Sequence, residues 1–385
     1  MFRPTTIEEA AGFVKANDRV IPIGGGTKCP SEGTAPEPNL SLGGLSGIVE
    51  YEPSEYTITA LAGTPLREIN QVLAARGQYL PFDPPLVRSG ATLGGTVASG
   101  LSGPGRLRYG GLRDFLIGLR FIDGAGSVLR GGGKVVKNAA GFDYPKLLCG
   151  SKGSLGVVVE VTFKVFPRMP ASRTILLTFK SLEGALDALS KVSLSQWEPD
   201  ALELNPVYNQ ILLRLCGNAD ALDNRLPSIL KFFSYSGTSA QLLPDAKAIW
   251  DGLNEYAWCP KNATLLKIPT TPAGIPLLEE KLSRVTEHRR YSMAGNLALV
   301  ALSPNKDKPK PDIPATMVTG GISAALDVLV APSDPVEAFR LLGLDADHVL
   351  GPAFPNPRLH PSNTHTIHHR IKQNFDPNHK FPARN

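Results

Sequence analysis

Hydrophobic and polar positions follow two different periods in the first part of the chain. Apolar residues recur at helical spacing from Ile7 to Lys15, directly after Thr5 and Thr6, which predicts a capped amphipathic helix. The same spacing over Leu66–Arg76 predicts a second helix that ends at Gly77. Short β-branched runs predict strands at Arg19–Ile23, Ile48–Tyr51, Tyr56–Ala62, Leu116–Asp123, Val128–Arg130, Val135–Val136 and Val157–Phe166.

A different pattern begins after the turn at Pro167–Pro170. Strand-like and helix-like segments then alternate, which is typical of an α+β domain whose sheet is covered by helices. The predicted strands are Arg173–Phe179, Ala201–Leu204, Ile211–Leu215, Leu265–Ile268, Leu297–Ala301 and Ala324–Val330. The predicted helices are Leu182–Val192, Asp220–Phe232, Pro276–Glu287 and Pro335–Leu342, followed by a short last helix over His365–Phe375.

The composition is that of a soluble globular protein with room for two domains. The chain has 385 residues, of which 42% are hydrophobic and 19% charged. A net charge of +5 suits an anionic cofactor or an acid substrate, and without a basic run it excludes a nucleic-acid-binding class. No apolar run reaches the roughly 18–20 residues that span a bilayer, and no signal peptide is recognised. We therefore expect a cytoplasmic protein, or one held at a membrane by a partner.

Glycine is distributed unevenly. Of the 38 glycines, 28 precede residue 157 and 10 follow it. Because glycine permits close approach and tight turns, the first part of the chain must bring its backbone close to something or turn often. The asymmetry predicts two domains with different tasks.

The first glycine motif is Pro22-Ile-Gly-Gly-Gly-Thr-Lys28, at the end of a predicted strand. Consecutive glycines can turn several N–H groups into one anion-binding concavity. Thr27 and Lys28 add a hydroxyl and a positive charge that suit a pyrophosphate. The motif lacks the spacing of a Walker loop, and Cys29-Pro30 blocks the long helix of a GxGxxG motif. A plain glycine turn is the alternative interpretation.

Two further glycine motifs narrow the choice of ligand. Gly90–Gly100 has small residues at nearly every position, too little side chain to form a core, and a flat isoalloxazine ring could supply the missing packing. Val136–Asp143 and Cys149–Gly156 precede a strand whose backbone could bond an adenine edge. Together with the first motif, they predict that the protein binds FAD.

These motifs resemble the FAD-binding domain of the vanillyl-alcohol oxidase and p-cresol methylhydroxylase family. The resemblance covers residues 1–170 in order and includes VVKNxAGxD at Val135–Asp143 and GSxGxLGVV at Gly150–Val158. Within the family, Gly94–Gly105 and Arg113-Asp114 look most like the FAD-binding subunits of bacterial glycolate oxidases. Weaker similarity continues at Leu212–Gly217, Ile249–Trp250, Lys267–Thr270 and Ile371–Pro377.

The resemblance implies which residues bind FAD. The pyrophosphate would be held by Gly24, Gly25, Gly26, Thr27 and Lys28. The second phosphate and the flavin ring would lie near Thr92, Gly94, Gly95, Ser99 and Gly100. The adenine side would be held through the main chain of Gly156, Val157 and Val158.

The histidine positions predict that FAD is bound noncovalently. All seven histidines lie at or beyond His288, so the predicted FAD domain has none for the covalent linkage found in several relatives. Cys29 adjoins the glycine loop, and a buried thiol is the favoured interpretation over a flavin linkage.

No metal site is predicted. Cys29, Cys149, Cys216 and Cys259 form no zinc-type spacing and are expected to be free thiols. His360, His365, His368 and His369 cluster near the C-terminus, and the last three share one helix face without an acid or cysteine to complete a ligand set. A solvated helix face is the main interpretation, and a metal site and a base near the flavin are the alternatives.

The sequence identifies no catalytic residue. Arg106, Arg108 and Arg113 follow the small-residue segment and are candidates to bind a substrate carboxylate through two parallel hydrogen bonds. The FAD phosphates, Asp114 and Asp123 are their alternative partners.

The overall prediction is an α+β fold in three parts. A two-subdomain PCMH-type FAD-binding domain is expected over 1–170, an α/β cap domain for substrate or subunit contact over 171–345, and a C-terminal segment over 346–385 that returns to the FAD domain. The resemblance implies oxidation of glycolate or a similar small 2-hydroxy acid to the 2-oxo acid. Electrons would pass to a partner, with a larger flavin subunit and an iron–sulfur subunit expected in the complex. The alternatives are an accessory FAD-binding subunit for electron transfer or structure, and a stand-alone flavin oxidase or dehydrogenase of another substrate.

Overall fold

The computed structural model describes residues 1–28, 39–133, 143–234, 238–260, 263–302, 327–330 and 370–381. The strand predicted at Val135–Val136, the helix predicted at Pro335–Leu342, Cys29 and the four clustered histidines lie outside these residues. The chain divides into two compact units. The first unit contains the described residues up to Gly103, then Gly110–Arg168 and 370–381, and the second contains Pro104–Tyr109 and the described residues from Met169 to Val330.

An antiparallel sheet of five strands lies at the centre of the first unit. Its strands are β3 (Ile48–Glu52), β4 (Thr57–Leu61), β6 (Leu116–Ile122), β7 (Val128–Gly132) and β8 (Val157–Lys164). Their order across the sheet is β3-β4-β8-β6-β7. β8 takes the central place because its alternate residues Val157, Val159, Val161 and Phe163 are apolar and completely buried.

Two short strand pairs and several helices surround this sheet. β1 (Ile21–Ile23) pairs in parallel with β2 (Asn39–Ser41), and β5 (Gln78–Tyr79) pairs with β9 (Phe166–Pro167). The helices are α1 (Ile7–Ala16), α2 (Leu66–Ala74), α3 (Leu93–Ser99), α5 (Leu112–Phe115) and α6 (Tyr144–Leu148), and α4 (Arg106–Tyr109) belongs to the second unit. The predicted N-terminal cap is confirmed, because the Glu9 backbone N–H donates to Thr6 Oγ1 at 3.1 Å.

The second unit is built on one antiparallel sheet of eight strands. These are β10 (Ala171–Thr178), β11 (Ala201–Asn205), β12 (Gln210–Gly217), β13 (Ser239–Leu243), β14 (Thr264–Pro269), β15 (Arg289–Ser292), β16 (Leu297–Leu302) and β17 (Asp327–Val330). Their order is β13-β10-β12-β11-β15-β16-β14-β17. The pattern predicted all of them except β13 and β15.

Four longer helices accompany this sheet. They are α7 (Leu182–Ser193), α8 (Ala219–Ser234), α9 (Lys247–Asn254) and α10 (Ile275–Leu282). The apolar residues of α7, α8 and α10 share one core with the sheet, in which Leu189, Ile229 and Ile275 are completely buried. Trp250 of α9 packs in a separate small cluster with Ala201 and Ala246. The result is the predicted sheet covered by helices.

The C-terminal segment 370–381 packs on the first unit. Residues 370–375 are helical, and the Phe375 ring lies 5.7 Å from the rings of both Phe121 and Tyr144. The backbone N–H of Gly124 donates to the Phe375 carbonyl oxygen at 2.6 Å. The chain therefore returns to the first unit at its end.

Candidate cofactor-binding site

The first glycine motif lies directly after β1, as predicted, and packs against the second motif. A side chain at Gly24 would collide with Thr92 Oγ1, and a side chain at Gly25 would collide with the Gly90 carbonyl oxygen. Two backbone segments can approach this closely only where no Cβ separates them. The loop continues to Thr27 and Lys28, whose Nζ lies 3.4 Å from Thr27 Oγ1.

Most of the second motif is helical. Leu93–Ser99 forms α3, in which Leu93 and Val97 are 1% and 0% exposed and pack in the core of the first unit. Gly94 lies so close to β4 that a Cβ atom there would be 2.6 Å from Ala62 Cβ. Part of the small-residue pattern of this segment therefore serves helix-to-strand packing.

The third motif touches both of the others. Gly100 ends α3 in the left-handed region with φ +64°, and a Cβ atom there would lie 3.0 Å from Gly150 Cα. A Cβ atom at Gly153 would lie 2.9 Å from Cγ of Pro22 in β1. The structure thus gathers residues 24–28, 92–100 and 150–156 into one place, which we call the glycine cradle.

Three hydroxyl groups in the glycine cradle are buried without a hydrogen-bond partner among the described residues. They belong to Thr92, Thr96 and Ser151, which are 6%, 0% and 3% exposed. An unsatisfied buried hydroxyl costs about 1–3 kcal/mol. Such groups therefore suit a polar ligand. Thr96 and Ser151 were not predicted as site residues, and the small-residue pattern around them was the only indication in the sequence that they belong to the site.

The remaining predicted FAD contacts are also part of this region. Ser99 Oγ donates to the Thr96 carbonyl oxygen at 2.9 Å, so its hydroxyl proton is already used in a hydrogen bond within α3. Gly156 leads into β8 and would place a Cβ atom 2.7 Å from the Ile122 carbonyl oxygen. Val157 and Val158 pair with Ile122 and Phe121 of β6. Their roles toward the adenine remain predictions.

The three candidate arginines differ in surroundings. Arg106 and Arg108 lie on α4 in the second unit, whereas Arg113 lies on α5 in the first unit and is exposed. Arg108 Nη1 donates to the Glu198 carbonyl oxygen at 2.7 Å, and its Nη2 donates to Glu198 Oε2 at 3.1 Å. Arg108 is therefore engaged by a carboxylate of its own unit.

The alternative arginine partners have bonds of their own. Asp114 Oδ2 accepts from the Gly111 backbone N–H at 2.8 Å. Asp123 Oδ1 accepts from the backbone N–H groups of Ala125 and Ser127 at 2.9 and 2.8 Å. Both carboxylates stabilise local turns.

The second unit contains a buried carboxyl group that the sequence pattern did not indicate. Glu203 on β11 is 4% exposed and accepts a hydrogen bond from Ser292 Oγ at 2.6 Å. Burial raises the pKa of Glu203 to about 7, against the lowering effects of the Ser292 hydroxyl and the Arg290 charge. Burial also raises the pKa of the Cys216 and Cys259 thiols to about 11, so these two cysteines are poor nucleophiles.

The described residues contain neither a metal-binding cluster nor a membrane-spanning helix. Within those ranges no set of three or more His, Cys, Asp or Glu side chains is arranged to hold a metal ion. Among the same residues, no helix has the length and apolar character needed to cross a bilayer. The four clustered histidines, His360, His365, His368 and His369, lie outside the described ranges.

The glycine cradle fits a dinucleotide cofactor. Positions 24 and 25 admit no side chain, and Thr92, Thr96 and Ser151 hold hydroxyls that the described chain leaves unpaired. Residues 1–132 match a family model described as an FAD binding domain. The first unit is therefore an FAD-binding domain of the PCMH type, and FAD is its cofactor.

Two curated relatives belong to glycolate oxidases. Glycolate oxidase subunit GlcE of Escherichia coli (strain K12) is 46% identical over 174 residues, which cover 44% of this chain and 48% of the relative. Glycolate oxidase subunit GlcD of Bacillus subtilis (strain 168) is 30% identical over 189 residues, which cover 48% of this chain and 39% of the relative. The chain thus matches less than half the length of each relative.

A solved structure shares the fold of nearly the whole chain. Alkyldihydroxyacetonephosphate synthase superposes with a TM-score of 0.67 over 98% of this chain and 75% of that chain, at 16% identity. At this level of identity the similarity shows the fold alone. It confirms the predicted α+β architecture.

Proposed function

We propose that this chain is an FAD-dependent oxidoreductase subunit that oxidises glycolate or a similar small 2-hydroxy acid to the 2-oxo acid and passes the electrons to a partner subunit. The observation that carries the proposal is the convergence of three separate glycine motifs with unpaired hydroxyls in one FAD-binding domain. The names of the two glycolate oxidase relatives supply the substrate class.

The chain's residues bind and orient the reactants. Backbone N–H groups of Gly24–Gly26, with Thr27 and Lys28, hold the pyrophosphate, and the segment from Thr92 to Gly100 lies near the flavin side. Gly156–Val158 hold the adenine through the main chain. FAD, when bound, accepts the two electrons and the hydrogen removed from the substrate carbon.

An arginine is the natural group to hold the substrate carboxylate. Arg108 is already bonded by Glu198, which leaves Arg106 and Arg113 as the better candidates. Arg106→Lys and Arg113→Lys keep the charge and lose the planar two-bond geometry. At the residue that binds substrate, the lysine variant raises KM for glycolate more than it lowers kcat, while the other variant leaves both unchanged.

An anaerobic mixing experiment tests the activity. The purified full chain, saturated with FAD, is mixed with glycolate while the visible absorbance of oxidised flavin is followed. Rapid bleaching supports oxidation by this chain. Retention of absorbance with glycolate and with lactate contradicts it, and the Gly25→Ala variant controls for free flavin in solution.

The second candidate is an accessory FAD-binding subunit that transfers electrons without oxidising substrate. The engagement of Arg108 by Glu198 favours it, since one candidate substrate-binding cation is neutralised within its own unit. In this case bleaching by glycolate requires a larger flavin subunit. In either role we propose that an iron–sulfur subunit accepts the electrons; the four cysteines of this chain show no cluster-binding pattern of their own.

Noncovalent attachment is a separate part of the proposal. The described part of the first unit contains one histidine, His379, in the C-terminal segment. We expect acid precipitation of the loaded protein to release all of its flavin into the supernatant. Yellow colour retained in the washed pellet would show a covalent bond.

A further inference from the structure

The C-terminal segment 370–381 carries three charged side chains that are almost completely buried in the first unit. Lys372 and Lys380 are 9% and 8% exposed, and Asp376 is 0% exposed. Burial of a charge is costly unless the group is paired and fully hydrogen-bonded. Each of these charged groups must therefore have hydrogen-bond partners, and the partners identify the parts of the first unit to which the segment is attached.

Lys372 uses all the donors of its ammonium group. Its Nζ donates to the Ser154 carbonyl oxygen at 2.7 Å, to Asp376 Oδ2 at 2.8 Å and to the Phe381 carbonyl oxygen at 3.2 Å. An ammonium has three N–H groups, so each has one partner. The Ser154 bond is the only one of the three that leaves the C-terminal segment.

Asp376 completes the network within the segment. Its Oδ1 accepts from the Lys380 backbone N–H at 2.7 Å, and its Oδ2 accepts from the Phe381 backbone N–H at 3.0 Å. The carboxylate thereby fixes both Lys372 and the last described turn. A network with every group satisfied is rigid.

The segment attaches to both sides of one contact in the glycine cradle. Ser154 follows Gly153, the residue that packs against Pro22 of β1. On the other side, the backbone N–H of Val20, immediately before β1, donates to the Lys380 carbonyl oxygen at 2.7 Å. The segment thus holds the 150–156 loop through Lys372 and the start of β1 through its backbone.

We propose that Lys372 is a positioning residue for FAD. Its hydrogen bond to the Ser154 carbonyl oxygen holds the 150–156 loop against β1, the strand that leads into Gly24–Lys28. Asp376 orients Lys372 for this task. The inference builds on FAD binding by the first unit and is independent of whether the chain oxidises glycolate.

Lys380 provides a matched control. It has nearly the same exposure as Lys372 and lies in the same segment, but its Nζ donates to the carbonyl oxygens of Val14 and Lys15 at 3.0 and 3.2 Å. These carbonyls end α1 and are not part of the glycine cradle. Lys372→Met and Lys380→Met are therefore the same chemical change at two sites with different partners.

The test is the FAD dissociation constant of the full-length apoprotein, measured by the quenching of flavin fluorescence. We expect Lys372→Met to raise the dissociation constant at least about tenfold, which is the order of one lost charged hydrogen bond. We expect Lys380→Met to change it by less than about twofold, although both variants lower the urea midpoint. An equal rise in both variants, or none in Lys372→Met, overturns the proposal.

A milder variant covers the case in which Lys372→Met does not fold. Asp376→Asn keeps the shape and removes the charge that orients Lys372, and we expect about a threefold or larger rise in the dissociation constant. Hydrogen exchange supplies a readout that general destabilisation would not move selectively. The amides of Gly150 and Lys152, which bond to the carbonyls of Val97 and Ala98, exchange faster in the Lys372 and Asp376 variants than in Lys380→Met. Unchanged binding and exchange in Asp376→Asn also overturn the proposal.

Discussion

The glycine cradle of the first unit and helix α9 of the second unit differ in how closely their glycines are packed. In the first unit a side chain at Gly24 or Gly25 would collide with a facing segment of the chain. In the second unit a Cβ atom at Gly252 would lie 3.8 Å from the nearest described atom, Ala257 Cβ, which is an ordinary contact. Glycine is therefore required by geometry at Gly24 and Gly25 of the glycine cradle and only tolerated at Gly252.

The glycine cradle and the group around Glu279 also differ in how their buried polar atoms are satisfied. In the second unit Arg289 and Tyr291 both bond to Glu279, so a buried charge is satisfied inside the chain. In the glycine cradle the hydroxyls of Thr92 and Thr96 have no partner among the described residues. The glycine cradle therefore keeps hydroxyls available to a ligand, whereas the charge of Glu279 is satisfied within the second unit.

The largest expected effect comes from Gly25→Ala. The added Cβ atom would collide with the Gly90 carbonyl oxygen, so the two facing segments of the glycine cradle must separate. We expect loss of FAD binding by at least about a hundredfold, measured by flavin fluorescence, because the ligand then loses several contacts worth about 1 kcal/mol each.

Gly252→Ala is the matched control in the second unit. Gly252 lies inside α9, where alanine is the better helix former by about 1 kcal/mol. We expect unchanged FAD binding and slightly higher stability. Tight FAD binding by Gly25→Ala would contradict the assignment of the glycine cradle as the cofactor site.

Arg289→Met is expected to have the next largest effect, and it acts on the second unit. Arg289 Nη2 donates to Glu279 Oε2 at 2.7 Å, and the two side chains are 7% and 9% exposed. Removal of one partner leaves a buried charge unpaired and costs about 3–5 kcal/mol of the free energy of unfolding. The measurement is urea denaturation followed by tryptophan fluorescence, since Trp197, Trp250 and Trp258 all lie in the second unit.

The same experiment separates the two units. We expect Arg289→Met to leave the FAD dissociation constant unchanged under native conditions, whereas Gly25→Ala leaves the tryptophan-detected midpoint unchanged. A double variant, Arg289→Met with Glu279→Gln, should recover part of the lost stability because no charge then remains unpaired. Loss of FAD binding in Arg289→Met would show that the units do not act independently.

A pH-dependent stability is expected from Glu203. Burial raises the pKa of Glu203 in the folded state to about 7 from 4.5. Between pH 4.5 and 7 the carboxyl group therefore keeps its proton in the folded protein and loses it in the unfolded chain. The stabilisation is therefore present at low pH and is lost as the pH rises through 7. The free energy of unfolding should fall by about 3 kcal/mol across this window, as measured by urea denaturation at several pH values.

Glu203→Gln is the control for this titration. Glutamine keeps the shape and can still accept from Ser292, but it cannot ionise. We expect the variant to lack this fall in stability between the two pKa values. The same slope in both proteins would assign the pH dependence to another group.

The sequence was sufficient for the elements whose own residues determine their structure. The capping pattern at Thr6 predicted α1, and the β-branched run at Val157–Phe166 predicted the central strand of the first unit. β15 was missed because its sequence, Arg-Arg-Tyr-Ser, lacks an apolar pattern and its burial depends on Glu279 of another element. α3 was missed because glycine disfavours a helix, and its stability depends on tertiary packing, in which Leu93 and Val97 are buried and Gly94 lies against Ala62.

The candidate site was predictable in outline and not in detail. The three glycine motifs and the family resemblance indicated FAD, but the contacts Gly25–Gly90 and Gly153–Pro22 join residues far apart in the chain. Whether a hydroxyl such as that of Thr96 has a partner also depends on those contacts. For this reason the sequence named Thr92 and Ser99 without showing that Ser99 already bonds within α3.

Thr96→Val is expected to have the smallest effect. It tests directly whether the unpaired hydroxyls of the glycine cradle bind the cofactor. Valine has the shape of threonine and lacks the hydroxyl, which is completely buried and unpaired among the described residues. The apoprotein should keep its free energy of unfolding or gain up to about 1 kcal/mol, measured by circular dichroism in urea, because an unsatisfied group is removed. FAD binding should weaken about three- to tenfold, since the ligand loses one hydrogen bond.

Thr174→Val makes the same change where the hydroxyl is used by the chain itself. Thr174 is 3% exposed, and its Oγ1 accepts from Trp250 Nε1 at 2.9 Å. Valine there leaves a buried indole N–H unpaired and should lower the free energy of unfolding by about 1–3 kcal/mol without affecting FAD. A free energy of unfolding that stays or rises in Thr96→Val and falls in Thr174→Val would show that the Thr96 hydroxyl binds the cofactor and that the Thr174 hydroxyl stabilises the fold. A loss of apoprotein stability in Thr96→Val with unchanged FAD affinity would instead place both hydroxyls in the fold.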